Sequence, residues 1–165
     1  MRERVLILVI PIQTLVGCFN PFAPGLDDSP AESSCNQLTI EGIFQCFQTA
    51  YSFRDTTAYG QLLDGSFIFV YRDYDLGIDI TWGRDEEMRV TDGLFQNAQK
   101  LDLIWNTLVT SETDTSATAV RSFNLTVTYN PSSIDRVDGY ANLTFARGSK
   151  NEPWKITLWR DESNF

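Results

Sequence analysis

The sequence of 165 residues contains no histidine. This absence excludes Ser-His-Asp and Cys-His nucleophile systems and zinc sites built on imidazole, so any catalysis must use carboxylates, Tyr, Lys or Arg. Basic residues are also scarce, with 13 Lys and Arg against 22 Asp and Glu and a net charge of -9. Nucleic acids are bound through clustered Lys and Arg, so we expect no DNA or RNA partner.

A membrane-spanning run is also missing at the start of the chain. The apolar segment at residues 5–16, VLILVIPIQTLV, is about a dozen residues long, whereas a transmembrane helix needs about 20. It follows the net-positive start MRER and ends in a small residue. A basic start, a short apolar stretch and a small-residue exit are typical of a removable secretory signal.

The segment ends in Leu15-Val16-Gly17-Cys18, which resembles the bacterial lipobox. The resemblance implies cleavage between Gly17 and Cys18, which removes a signal peptide of residues 1–17, and acylation of Cys18 that anchors the protein in membrane lipid. It also implies an extracytoplasmic lipoprotein of the bacterial cell envelope, in the outer membrane where one is present. The alternative is a buried N-terminal strand with an incidental cysteine.

Residues 18–38 follow as a predicted flexible tether, because they are rich in proline and serine and show no period of two or 3.6. Cys35 lies in this tether and Cys46 in a predicted helix. If both were helical they would be about 16 Å apart, so a disulfide requires the tether to fold back along the helix. A Cys35–Cys46 disulfide, which export permits, and a free buried Cys46 remain as alternatives.

Residues 39–163 are predicted to form one α+β domain. Apolar residues from Ile40 to Tyr51 recur at three- and four-residue steps, which predicts a helix ending near Arg54. A short helix capped by Asp55, a strand at 66–71 and a helix at 83–98 with Met88, Leu94 and Phe95 inward are predicted next. Alternating strands follow at 101–110, 120–129, 139–145 and 154–161, and these predict a curved antiparallel sheet of about four to six strands with the helices on one face.

The segments YSFRDTTAYGQLLDGSFIFVYRD, WGRDEEMRV and WKITLWRDES, in this order among these elements, resemble the nuclear transport factor 2-like superfamily. Ketosteroid isomerase, scytalone dehydratase and the SnoaL-like cyclases belong to it. The resemblance covers residues 39–163 and implies a cystatin-like conical roll, in which the curved sheet wraps around the helices and leaves a pocket. This fold serves enzymes, ligand binders and assembly modules alike.

Four residues are expected at pocket-lining positions: Tyr51, Trp82, Trp105 and Arg160. The alternative places Tyr51 and Trp105 in the core and pairs Arg160 with Asp161 for structural reasons. Asp102 points away from the face of its apolar neighbours by alternation, which argues against a role as a base. No catalytic residue is assigned.

The acidic segment DYDLGIDITWGR invites a calcium-loop interpretation through Asp73, Asp75 and Asp79. The EF-hand pattern needs Gly at loop position six and Glu at position twelve, where this sequence has Ile78 and Arg84. We therefore expect a solvated acidic loop, with no metal and no cofactor.

These observations favour a membrane-anchored module that binds a small apolar ligand or a protein partner without catalysis. A second copy of the chain, docked across the sheet as a homodimer, is one such partner. The alternative function is a histidine-free isomerase or dehydratase that uses Tyr51 with a carboxylate, and a purely structural envelope component is third. An Asp or Glu within hydrogen-bond reach of a Tyr inside a ligand-sized pocket would favour the enzyme.

Overall fold

The structure is a computed structural model that describes residues 35–164. The predicted signal peptide, Cys18 and the tether up to residue 34 lie outside these residues. Along the described range the elements are α1 Ile40–Phe53, α2 Thr56–Leu62, β1 Leu63–Asp73, β2 Ile78–Gly83, α3 Arg84–Asn97, β3 Lys100–Glu112, β4 Ser116–Asn130, β5 Ser133–Ala146 and β6 Lys155–Asn164. None of the helices in this range is both long and apolar enough to cross a membrane.

The six strands form one curved, unclosed sheet in the order β2-β1-β6-β5-β4-β3. All neighbouring strands run antiparallel except β1 and β6, which are parallel. The α+β prediction is confirmed, with helices before and within the strand order and a core between helices and sheet. The parallel β1–β6 pair is the departure from the fully antiparallel sheet that the alternation predicted.

The first two helices begin and end where their sequence signals indicate. The Thr39 hydroxyl accepts a hydrogen bond from the Gly42 amide at 3.0 Å, and the Asp55 carboxylate accepts one from the Ala58 amide at 2.8 Å, so each residue caps a helix start. Arg54 ends α1 in the left-handed conformation, with φ 55°. Only Arg54 and Asp55 separate the two helices, and both helices contribute side chains to the core.

Two stretches differ from the expected strands. Residues 78–83 form β2 rather than part of an acidic loop; the apolar alternation of Ile78, Ile80 and Trp82 was the available signal. In β3 a bulge after Trp105 shifts the register, so that Leu108 packs against the core. Thr107 and Val109, which unbroken alternation from Leu101 would place on the inward face, are exposed.

The segment before α1 is tied to the domain at several points. Cys35 and Cys46 form a disulfide with their Cα atoms 5.0 Å apart. The Trp154 amide donates a hydrogen bond to the Gln37 carbonyl at 2.8 Å. The chain thus folds back along α1, as a disulfide required, and residues 35–38 belong to the folded domain rather than to the predicted tether.

Candidate functional site

An aromatic cavity of about 420 Å³ lies between the helices and the concave face of the sheet. Helices α1 and α3 and strands β1, β2, β3, β4 and β6 contribute to its wall. The lining residues are Phe47, Tyr51, Phe69, Tyr71, Trp82, Glu87, Val90, Thr91, Leu94, Leu103, Trp105, Phe123, Leu125, Trp159 and Asp161. Eight of these fifteen side chains are aromatic, so the wall offers mainly ring surface.

The rings pack on one another, which fixes the shape of the cavity. Phe69 and Trp82 stack with their centroids 4.5 Å apart and their planes 14° from parallel, and Trp159 meets Phe69 edge-on at 5.1 Å. Phe47 contacts both Trp105 and Trp159 edge-on, each at 5.4 Å. Pairs in these geometries contribute beyond their buried area, so the aromatic wall is largely pre-formed.

Glu87 is a buried carboxylate in this wall, and three uncharged side chains donate hydrogen bonds to it. The Tyr59 hydroxyl donates to Oε1 at 2.6 Å, the Trp82 indole to Oε2 at 2.8 Å, and the Thr91 hydroxyl to Oε1 at 3.1 Å. The three donors lie on α2, β2 and α3, so the carboxylate is held in one orientation from three sides.

Asp161 is the second carboxyl group of the wall, and its environment differs. The Ser163 hydroxyl donates to Oδ2 at 2.8 Å, whereas Oδ1 is buried and has no hydrogen-bond partner. Desolvation by burial raises the pKa of Asp161, and the nearby Glu87 charge adds to this effect. Asp161 therefore keeps its proton to a higher pH than an ordinary surface aspartate does.

Tyr51 completes the polar part of the wall. Burial, followed by the charge of Glu87, raises the pKa of the Tyr51 hydroxyl well above its usual value. The phenol therefore keeps its proton, and it is available as a hydrogen-bond donor at the cavity.

Three of the four residues predicted to line a pocket do so: Tyr51, Trp82 and Trp105. The indole of Trp105 also donates to the Phe44 carbonyl at 3.1 Å, which fixes its ring. Arg160 does not line the cavity, because β6 alternates and places it on the opposite face from its neighbours. Its guanidinium instead donates to Asp79 Oδ2 at 3.1 Å, so neither the pocket role nor the alternative pairing with Asp161 holds.

Sequence reasoning missed Glu87 and Asp161 as lining residues. Glu87 lies in the acidic first turn of α3, yet it shares one helix face with Thr91 and Phe95 at four-residue steps, which is a signal of burial. Asp161 follows Trp159 by two residues in β6, so alternation places both on the inward face. Asp102 is exposed beside Lys100 on the outer face, as expected.

Asp73 and Asp79, in the acidic segment around β2, make structural contacts. Asp73 accepts a hydrogen bond from the Leu76 amide at 2.8 Å and shapes the β1–β2 turn. The Asp79 carboxylate accepts hydrogen bonds from Arg72 and Arg160. These two guanidinium groups hold the pKa of Asp79 below its usual value. Among residues 35–164, no group of three or more acidic or cysteine side chains is arranged to hold a metal ion.

No protein-family model and no curated protein matches the sequence. The fold, in contrast, matches solved structures. A proposed dehydratase of the NTF2-like family from Streptomyces avermitilis is 15% identical, with a TM-score of 0.61 over 80% of this chain and 96% of that one. A proposed scytalone dehydratase from Novosphingobium aromaticivorans is 12% identical, with a TM-score of 0.61 over 76% and 82%.

A conserved protein from Planctomyces limnophilus is 15% identical, with a TM-score of 0.63 over 79% of this chain and 98% of that one. At these identities the likeness concerns the fold, and the chain has the nuclear transport factor 2-like fold that its segments resemble. What the cavity does has to be argued from its own residues.

Proposed function

We propose that the aromatic cavity binds a small, largely apolar molecule that carries one polar group. The observation that carries the proposal is the cavity itself, whose mainly aromatic wall holds two carboxyl groups, Glu87 and Asp161. A pre-formed apolar cavity with few convergent polar groups is the usual form of a small-molecule site.

Native mass spectrometry of the full chain isolated from its source cells tests this binding. We expect a retained small molecule with the wild type and its loss with Val90→Trp, which places an indole where a cavity-lining valine stood. Arg89→Trp is the matched control. Arg89 precedes Val90 on α3, but its side chain is largely exposed and paired with Glu86. Equal retention by both variants would place the ligand elsewhere.

A second candidate function is proton transfer on the bound molecule, as in an isomerase or a dehydratase. The observation favouring it is the contrast between two carboxyl groups in one cavity: Glu87 receives three donors, while Asp161 has an unpartnered oxygen and a raised pKa. Two carboxyl groups held in different environments can take the roles of base and acid in one site. Glu87 would remove a proton from carbon, and Asp161 would supply one to oxygen.

The probe 5-nitrobenzisoxazole tests the base, since removal of its C–H proton by a carboxylate in an apolar site opens the ring to a coloured phenolate. We expect turnover by the wild type and a loss of about 100-fold in Glu87→Gln. Asp102→Asn removes the same charge from the outer face and is expected to leave the rate unchanged. A binding protein without catalysis would show no rate above buffer for any of the three.

We further propose that the chain is a bacterial lipoprotein, anchored outside the cytoplasm through acylated Cys18. The Cys35–Cys46 disulfide supports this location, because disulfides persist in oxidising compartments. The measurement is the mass of the protein from its native cells, which should lack residues 1–17 and carry acyl chains. In Cys18→Ser the chain should leave the membrane fraction; an unprocessed wild type would contradict the proposal.

A further inference from the structure

The charge in the cavity wall has one sign only. Glu87 and Asp161 are acidic, and none of the fifteen described residues that line the cavity is Lys or Arg. The donors to Glu87 are a phenol, an indole and an alcohol, all of them neutral. No ion pair within residues 35–164 involves either carboxyl group. The two acidic groups of the cavity therefore have no basic side chain to pair with.

An uncompensated charge at this depth is costly to the folded protein. Buried charges are normally paired, because the low dielectric of the interior penalises an isolated ion. Glu87 is only 4% exposed and Asp161 only 9% exposed, so water screens neither well. A cation placed in the cavity would lower this cost, and an anion would increase it.

The faces of the aromatic rings also favour a positively charged ligand. Aromatic faces carry the negative end of the ring quadrupole and attract cations within about 6 Å of the centroid. Trp gives the strongest such interaction, and Trp82, Trp105 and Trp159 all belong to the wall. An apolar body on the ligand would pack against the remaining rings and the aliphatic residues.

We propose that the ligand of this cavity is an organic cation, a protonated amine on a small apolar or aromatic body. The ammonium group lies in the field of the Glu87 and Asp161 carboxyl groups of the wall, and the body contacts the aromatic rings. This proposal rests on the proposed function, since it names the ligand class of the same cavity. The net charge of -9 also draws cations towards the protein.

Isothermal titration of the full chain with three matched probes tests the charge preference. The probes are 3-phenylpropylamine as the cation, 3-phenylpropan-1-ol as its neutral counterpart and 3-phenylpropanoate as the anion, all at neutral pH. We expect the amine to bind at least about tenfold more tightly than the alcohol. The anion should show no binding. Equal affinity for amine and alcohol would overturn the cation proposal while leaving ligand binding by the cavity intact.

Variants locate the preference within the cavity. In Glu87→Gln and in Asp161→Asn we expect the preference for amine over alcohol to fall by about tenfold, with the alcohol affinity largely kept. Asp102→Asn removes an equal charge from the exposed side of β3 and should keep the wild-type preference. If the preference for amine over alcohol falls equally in all three variants, the amine is attracted by the overall charge and the proposal is wrong. If none of the probes binds to the wild type, the cation proposal and the proposed function both fail.

Discussion

The hydroxyl of Tyr59 donates a hydrogen bond of 2.6 Å to Oε1 of Glu87, and this contact joins α2 to α3 immediately behind the cavity wall. Tyr59 is completely buried, and Glu87 is 4% exposed. The raised pKa of Tyr59, caused first by burial, keeps the phenol protonated and therefore a donor. A carboxylate of the cavity wall is thus oriented by a core residue that does not itself line the cavity.

Removing this donor is expected to destabilise the domain. In Tyr59→Phe the ring still fills the core, but the buried carboxylate loses a hydrogen bond, so we expect about 2 kcal/mol less free energy of unfolding. Urea denaturation measures the change. Tyr140→Phe is the control, because Tyr140 is 54% exposed and should change stability by less than about 0.5 kcal/mol. Equal effects would show that Glu87 does not depend on Tyr59.

The pH dependence of stability should identify Asp161 as a buried acid. Its pKa in the folded protein is raised from the ordinary value of 3.8 by desolvation. Because the folded pKa exceeds the unfolded one, the stability contributed by the protonated group is fully present below about pH 3.8 and is lost as the pH rises through the folded pKa.

Asp161→Asn cannot ionise, so it does not undergo this loss. We expect the variant and the wild type to have similar stabilities in acid, and the variant to become relatively more stable towards about pH 7. The measurement is the difference in unfolding free energy between the two proteins across this range. Asp102→Asn, which changes an exposed carboxylate, should show no such trend, and a difference for Asp161→Asn that is constant with pH would contradict the raised pKa.

The sequence allowed prediction of those features that depend on local periodicity. The α1 face from Ile40 to Tyr51 and the inward alternation of β5 were readable because neighbouring residues alone determine which side is buried. The three pocket residues Tyr51, Trp82 and Trp105 were expected from the resemblance to the nuclear transport factor 2-like superfamily. The parallel β1–β6 pairing and the shift of face after Trp105 were not readable, because both depend on strands distant in the chain.

The hydrogen-bond environment of the two cavity carboxyl groups could not be predicted from the sequence. That Glu87 receives three donors and Asp161 keeps an oxygen unpartnered depends on residues brought together from α2, β2, α3 and β6. A sequence shows which residues are acidic, but the balance between donors and acceptors around each one is set by tertiary packing. The absence of histidine, by comparison, already directed attention to carboxylates and tyrosines.

Loss of the disulfide is expected to weaken the domain at its start. Cys35 and Cys46 close a short loop, separated by 11 residues in sequence, and cross-linking a loop of this size contributes about 3 kcal/mol by restricting the unfolded chain. Cys35→Ala should lower the free energy of unfolding by about this amount. Gln37 should then lose its contact with the Trp154 amide, visible as faster hydrogen exchange there. Unchanged exchange would show that the segment is held without the disulfide.

Gly139 in β5 offers the sharpest test of how the sheet supports the site. A Cβ at this position would lie 2.3 Å from the Ser163 Cα and 2.7 Å from the Glu162 carbonyl oxygen, both of them backbone atoms of β6 that no rotamer change can move. Gly139→Ala should therefore push β6 away and cost about 3 kcal/mol of stability.

The displacement would also reach the cavity, since the Ser163 hydroxyl holds Asp161 Oδ2 at 2.8 Å. We expect Gly139→Ala to weaken binding of 3-phenylpropylamine as well as stability. Gly65→Ala is the control, because a Cβ at that position of β1 meets nothing within 4 Å. It should change the unfolding free energy by less than about 1 kcal/mol and leave amine binding unaltered. Similar behaviour of the two variants would mean that β6 is not held against Gly139, and that Asp161 is positioned by contacts other than Ser163.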